Sequence, residues 1–227
     1  IHDTLEDLYK PMIGDYLNKE VLKTAKIGID TLVKKHFKKS YTDSSILRGK
    51  NLIAFNVIKK YVGNFIDQEI VQSQRHKIKI LALEKEMELK LDIPELRFPV
   101  NLKGKLDRVD EIDGVTRIID YKSGKVMANQ VVVSDWSLIT EDYKYSKAFQ
   151  LLCYAYMYGR EGKINQFQAG IISFKNLNAG LLGFATIESK KKNKSITHET
   201  LNKFTVELKR LVLEICNPDI PFIEKEV

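Results

Sequence analysis

Asp107 and Asp120 stand 13 positions apart, one in Gly104-Lys105-Leu106-Asp107-Arg108 and the other in Ile119-Asp120-Tyr121-Lys122-Ser123. Between them Asp113-Gly114 is a dipeptide that favours a two-residue hairpin turn, because both residues tolerate positive φ. The flanks, Lys105 to Glu111 and Thr116 to Lys122, carry β-branched residues with partial alternation and read as strands. A hairpin would bring the two aspartates from different strands towards one end of a sheet. Asp120 and Lys122 are two apart, so their side chains leave the same face, roughly 6.6 Å apart by strand rise. Two carboxylates and an ammonium converging on one point have the makings of a divalent-metal site with a cationic helper, a chemistry suited to phosphodiester hydrolysis.

The competing reading is a solvated charged hairpin in a chain with 30% charged residues. The neighbours of Asp120 weigh against it. Ile118, Ile119 and Tyr121 mark an interior strand, where an Asp and a Lys are costly unless paired or metal-bound. Gly104, in the first strand, fits either a bulge or a close approach by another group. Arg108 alternates away from the Asp107 face, so a structural ion pair suits it better than catalysis. Gln150 and Tyr154 are four apart on a helix over Ser146 to Tyr158 and share a face. The glutamine fits a role in orienting a metal ligand or touching a substrate phosphate, and equally a hydrogen-bonded core amide.

The elements that must position these groups follow from periodicity. Helical spacing covers Leu5 to Leu22, interrupted around Pro11 and Gly14, and Thr24 to Phe37. It is strongest over Asn51 to Gln72, where Leu52, Phe55, Ile58, Val62, Phe65 and Ile66 recur at three- and four-residue steps. From Lys77 to Leu91 the period becomes two, with Leu81, Leu83, Met87, Leu89 and Leu91 on one face and Ala82, Glu84, Glu86 and Glu88 on the other. Residues 125–145 read as a long excursion. Strands are expected over Gln168 to Lys175 and Leu181 to Glu188, a basic loop over Lys190 to Lys194, and a last helix over Thr197 to Ile215 with Thr197 as N-cap. The order predicts an α/β protein. A single domain over residues 1–227 is expected, with a mainly helical elaboration over 1–76 and an α/β core over 77–227.

The 227 residues, 44% hydrophobic, have the composition of an ordinary soluble globular protein. No apolar run approaches the roughly 18–20 residues of a membrane span, and no secretory signal is visible, which points to the cytoplasm. A formal charge of +7 fits a polyanionic partner. The two cysteines, Cys153 and Cys216, are too few for a zinc ribbon or a four-cysteine cluster within the chain. A first residue that is Ile1 is expected of a piece of something longer. Gly-Lys at 49, 104, 124 and 162 is never followed by Ser or Thr, which excludes a Walker-type phosphate loop here.

Three motifs in order resemble a known family. Gly-x-x-Asp-Arg-x-Asp from Gly104, Ile-Ile-Asp-Tyr-Lys-Ser-Gly from Ile118 and Gln-Leu-Leu-x-Tyr from Gln150 look like the RecB-like branch of the PD-(D/E)XK nucleases. The nearest likeness is to the nuclease domain at the C-terminus of AddB-type helicase–nuclease subunits. Weaker likeness extends from Ile1-His2-Asp3-Thr4-Leu5-Glu6 to Pro221-Phe222. The resemblance implies a restriction-endonuclease-like mixed sheet core flanked by helices, with the helical N-terminal elaboration added to it. It implies that His2, Asp107, Asp120 and the Tyr121 backbone carbonyl hold Mg²⁺, with Mn²⁺ acceptable, and that Lys122 orients or activates the attacking water. Glu84 matches a supporting acidic position, although Glu86 shares its face. Gln150 and Tyr154 match the trailing motif beside the metal site and the DNA path. The implied activity is a metal-dependent deoxyribonuclease, exonucleolytic, in double-strand-break repair and recombination. Its partners would be DNA, above all single-stranded ends, and helicase regions of a parent chain or partner subunit. The chain departs from many AddB-type domains in lacking cysteines for an iron–sulfur cluster. The alternative is a catalytically inactive nuclease-fold module that binds DNA or scaffolds a helicase–nuclease, and the intact Asp107, Asp120 and Lys122 argue against it. A free-standing exonuclease of the CRISPR-adaptation kind is a third reading.

Overall fold

A computed structural model describes residues 1–40, 48–162, 166–188 and 190–223. Among the described residues six α-helices and nine strands form a mixed α/β architecture: α1 (His2–Tyr9), α2 (Lys19–Ile27), α3 (Ile29–Ser40), α4 (Gly49–Ser73), β1 (Ile78–Leu91), β2 (Val100–Ile112), β3 (Val115–Lys122), β4 (Val132–Val133), α5 (Ser146–Glu161), β5 (Gln166–Ser173), β6 (Leu181–Gly183), β7 (Ala185–Glu188), β8 (Lys191–Asn193), β9 (Ile196–Thr197) and α6 (His198–Ile215). The main sheet runs β1-β2-β3-β5-β6, with β9 pairing β5, and β4-β7-β8 form a second sheet. This is the expected class, a mixed sheet core flanked by helices.

The chain divides into two compact units, residues 1–85, 107–126 and 171–181 in one and 86–106, 127–170 and 182–227 in the other. In the first, α1, α3 and α4 pack on one another and bury Leu5, Leu8, Tyr9, Val33, Phe37, Phe55, Val62, Phe65 and Ile66 together with Ile78, Ile80, Ile119, Tyr121 and Phe174. In the second, α5 packs on α6, with Phe204 edge-on to Phe149 at 5.4 Å and to Tyr156 at 6.4 Å between ring centroids.

The hairpin has the turn that its dipeptide demands. Ile112 pairs with Val115, and Asp113 (φ +50°) and Gly114 (φ +85°) are both left-handed, the signature of a type I′ turn. The Asp113 carboxylate also accepts from the Lys77 backbone N–H at 2.9 Å and meets His76 Nδ1 at 2.6 Å, which ties the turn to the start of β1. Thr197 caps α6, accepting from the Thr200 N–H at 3.4 Å.

The interruption expected within Leu5 to Leu22 is present: α1 runs into a short 3₁₀ turn at Pro11, Gly14 sits at φ +88°, and Asn18 starts α2 by accepting from the Glu20 and Val21 N–H groups. Other expectations are corrected. The next break falls at Gly28 rather than near Thr24. In β1 the buried side changes parity: Ile78 and Ile80 are buried before Glu84, Met87 and Leu91 after it. Glu84 has φ +46°, so a bulge-like residue shifts the alternation by one. The strand expected over Leu181 to Glu188 is two, divided at Phe184 and belonging to different sheets. The basic segment over Lys190 to Lys194, expected as a solvated hairpin or linker, carries the exposed strand β8, paired antiparallel with β7.

Candidate active site

The β2–β3 ladder runs from Ile112↔Val115 to Arg108↔Ile119, and Asp107 is the next residue of β2. Its carboxylate takes over from the ladder, accepting the Tyr121 backbone N–H at 2.7 Å through Oδ2. His2, the first residue of α1, reaches the same point. Its Nε2 lies 3.0 Å from the Tyr121 carbonyl oxygen and 3.2 Å from Asp107 Oδ2. A carbonyl oxygen only accepts, so Nε2 carries the hydrogen here. His2 Nε2, Asp107 Oδ2 and the Tyr121 carbonyl therefore share one proton-bridged cluster. Tyr121 gives it only backbone, because its ring points into the core, 5.6 Å from Phe65 and 5.8 Å from Phe174.

Asp120 and Lys122 share a face, as their spacing requires. Lys122 Nζ donates to Asp120 Oδ1 at 3.0 Å and lies 2.8 Å from Oδ2. That second approach is off the hydrogen-bond direction, so Oδ2 is a buried oxygen with no hydrogen-bond partner among the described residues. The side chain is 3% exposed. Burial pushes the Asp120 carboxyl up to about 6, with Asp107 adding to the rise, while Lys122 and His2 pull the other way. His2 is raised above its ordinary value, chiefly by its bond to Asp107, with burial opposing and Glu84 adding a smaller favourable charge. Glu84 thus acts on the cluster from the irregular position in β1.

Among the described residues no three His, Cys, Asp or Glu side chains are drawn tightly enough together to form a metal-binding group. The donor chemistry nonetheless fits a hard divalent ion: a carboxylate oxygen left unbonded on Asp120, a second carboxylate on Asp107, a backbone carbonyl and an imidazole. The His2 Nε2 hydrogen bridges the Tyr121 carbonyl and the Asp107 carboxylate.

Gln150 and Tyr154 lie on α5 in the second unit and bond to each other, Gln150 Nε2 donating to the Tyr154 hydroxyl at 2.8 Å. Gly104 marks a close approach there. A Cβ at that position would stand 2.6 Å from Met157 Cε and 3.1 Å from Tyr154 Cε1.

The structural ion pair expected of Arg108 and Asp110 is part of a larger buried ionic network behind the hairpin, the rest of which sequence reasoning missed. Arg108 is 0% exposed, as is Asp110. Arg108 Nη1 donates to Glu69 Oε2 at 2.8 Å, Nη2 lies 2.6 Å from Asp110 Oδ2, and the guanidinium sits 5.0 Å from the centroid of the Tyr9 ring. Tyr9 donates to Glu69 at 3.2 Å, and Arg117 grips Asp110 with two bonds of 2.8 Å. The structural role expected for Arg108 is what it has. The missed partner, Glu69, was signalled: it continues the Val62, Phe65, Ile66 stripe of α4 at the next helical step, where an apolar residue belongs.

The mixed sheet with flanking helices is restriction-endonuclease-like. A family model described as the PD-(D/E)XK nuclease superfamily matches residues 1–226, and the chain belongs to that superfamily. Nuclease activity, divalent metals such as Mg²⁺ and DNA as partner go with that membership. No curated protein matches the sequence. Among the described residues no helix is long and apolar enough to cross a membrane.

Proposed function

We propose that the protein is a metal-dependent deoxyribonuclease of the RecB-like, AddB-type branch, working exonucleolytically beside a helicase in double-strand-break repair. The observation that carries the reading is the meeting of His2 Nε2, Asp107 Oδ2 and the Tyr121 carbonyl within 3.2 Å, in the same hairpin that leaves Asp120 Oδ2 buried and unbonded. The order and spacing of the three motifs support the branch. Residues 1–76 are read as the helical elaboration of a single nuclease domain, and the chain passes between the two compact units repeatedly, which supports one domain.

In this reading His2, Asp107, Asp120 and the Tyr121 carbonyl hold Mg²⁺ or Mn²⁺. The bound ion acidifies water and offsets charge on the phosphate. Lys122, held by Asp120, is aimed to orient the attacking water and stabilise negative charge at the phosphate rather than to act as a free base. Glu84 supports His2 by charge. Gln150 and Tyr154, locked together, serve the DNA path.

The test is cleavage of end-labelled single- and double-stranded DNA with Mg²⁺ or Mn²⁺. Asp120→Ala and Lys122→Ala should abolish it while circular dichroism stays that of the wild type. Cleavage by either variant at the wild-type rate would refute the site. A wild-type protein that binds DNA but neither cuts it nor takes up Mn²⁺ would establish the non-catalytic alternative.

A further inference from the structure

A cleft of about 450 Å³ opens beside the cluster, bordered by His2 on one side and by Ser123 and Gly124, which follow Lys122 directly, on another. Its wall is one face of α4: Ala54, Val57, Ile58 and Tyr61 line it at helical spacing. Such an apolar face ordinarily turns inward, yet Val57 is 40% exposed, and Ile53, one turn earlier, is 66% exposed. Tyr61 is stacked on Phe174, 6.1 Å between centroids at 21°, and Phe174 lies 5.8 Å from Tyr121. A column of rings therefore leads from the residue whose carbonyl belongs to the cluster out to the cleft wall. The floor is fixed, since Ser173 Oγ donates to the Gly124 carbonyl at 2.8 Å. Lys175, next to Phe174, also lines the cleft, and among the described residues its ammonium has no ion-pair partner.

These features match the parts of one nucleotide. An apolar and aromatic wall suits a base face, a lone ammonium suits a phosphate, and the volume is in the range of sites for small ligands. His2 belongs both to the cluster and to the cleft border, so a strand whose phosphate sits at the cluster has a path into this cleft. A base can stack on Tyr61 only when it is unpaired. We propose that the cleft takes one unpaired nucleotide of a DNA strand adjoining the bond to be cut, with its base on Tyr61 and Val57 and its phosphate against Lys175. This rests on the nuclease reading and assigns its preference for single strands to α4 and Lys175.

The experiment measures binding of a fluorescent single-stranded DNA 12-mer by anisotropy in EDTA, so that it does not depend on cleavage. Tyr61→Ala should weaken binding about tenfold, and Tyr61→Phe should restore it, since a ring rather than a hydroxyl is needed. Lys175→Ala, at an exposed position that cannot unfold the protein, should weaken binding and reduce the slope of log K against log salt by about 0.7. The same sequence as a blunt duplex should bind more weakly and ignore Tyr61→Ala. Wild-type affinity in both Tyr61→Ala and Lys175→Ala would overturn the proposal, as would equal loss on duplex. Asp120-dependent cleavage together with indifference to Tyr61 and Lys175 would remove the cleft and leave the nuclease reading standing. Tyr61- and Lys175-dependent binding without any metal-dependent cleavage would do the reverse.

Discussion

Asp120→Asn should make the metal-free protein more stable and the enzyme inactive. Asp120 ionises at about 6 because burial outweighs the help of Lys122. An unfolded aspartate ionises near 3.8, so the folded protein holds this proton more tightly than the unfolded chain does. The sign follows from linkage. Stability that the raised value confers is fully present below about pH 4, declines as pH rises towards 6, and is gone above it. At pH 7.5 the folded protein carries a buried carboxylate that costs about 3 kcal/mol relative to the protonated form. Asparagine has the same shape and no charge to bury. It does leave Lys122 without its ion pair, but that side chain is 31% exposed and loses at most about 1 kcal/mol. The net gain in EDTA at pH 7.5 should be about 2 kcal/mol, roughly 4–8 °C in Tm for a chain of this size.

The assay is urea or thermal unfolding of both proteins in EDTA from pH 4.5 to 7.5, where the difference between them should open from near zero to its full value. With Mn²⁺ added the order should reverse, because a ligand at one hundred times its Kd stabilises the wild type by about 2.7 kcal/mol and the variant scarcely at all. A difference that stays flat with pH, or a variant less stable than wild type in EDTA at pH 7.5, would refute the claim that Asp120 is a desolvated carboxylate held in readiness for a cation.

Two further outcomes follow. Arg108→Met should destabilise by about 3–5 kcal/mol in urea, since it strips Glu69 of its cation and leaves it only Tyr9, while Arg108→Met with Glu69→Leu should recover more than half of that; a double variant no better than the single would refute the network. His2 must lose its bridging proton before Nε2 can bind a metal, so Mn²⁺ affinity should rise with pH through the raised His2 range, and calorimetry in buffers of different ionisation heat should show proton release that His2→Gln removes.

The parts legible in the sequence are those fixed by short-range chemistry. Asp113-Gly114 dictates its turn, alternation puts Asp120 beside Lys122, and Thr197 marks the start of α6. What escaped is set by groups far apart in the chain. The parity change at Glu84 shows only in the burial on either side of it, because the residues before and after alternate equally well in isolation. The division at Phe184 reflects its N–H bonding to the Ala169 carbonyl at 2.8 Å, a partner 15 positions away. The roles of Glu69 and Tyr9 exist only once α4 and α1 lie against the Arg108 face of the hairpin, 39 positions from Glu69. His2 could be tied to the carboxylates only by resemblance, because nothing in its own neighbourhood of sequence points to Tyr121, 119 positions on.

The hairpin balances buried charge differently on its two faces, and the difference is a physical argument for a ligand at Asp120. On the face of Arg108 and Asp110, charge is buried with countercharge: Glu69 and Asp110 flank one guanidinium, and Arg117 grips Asp110 twice. The packing there shows that this fold can neutralise buried carboxylates. On the face of Asp107 and Asp120 it does not finish the task. Asp120 Oδ2 is left without a hydrogen bond among the described residues, and Lys122 and His2 together offset less than burial costs. Tyr121 joins the two faces, with its ring in the core near Arg108, its N–H on Asp107 and its carbonyl on His2. Arg108 Nε and Nη2 are likewise buried without hydrogen-bond partners among the described residues, so the two faces differ in countercharge and not in hydrogen-bond saturation. Such an arrangement gives up stability in the metal-free protein, and a cation is the partner that would recover it.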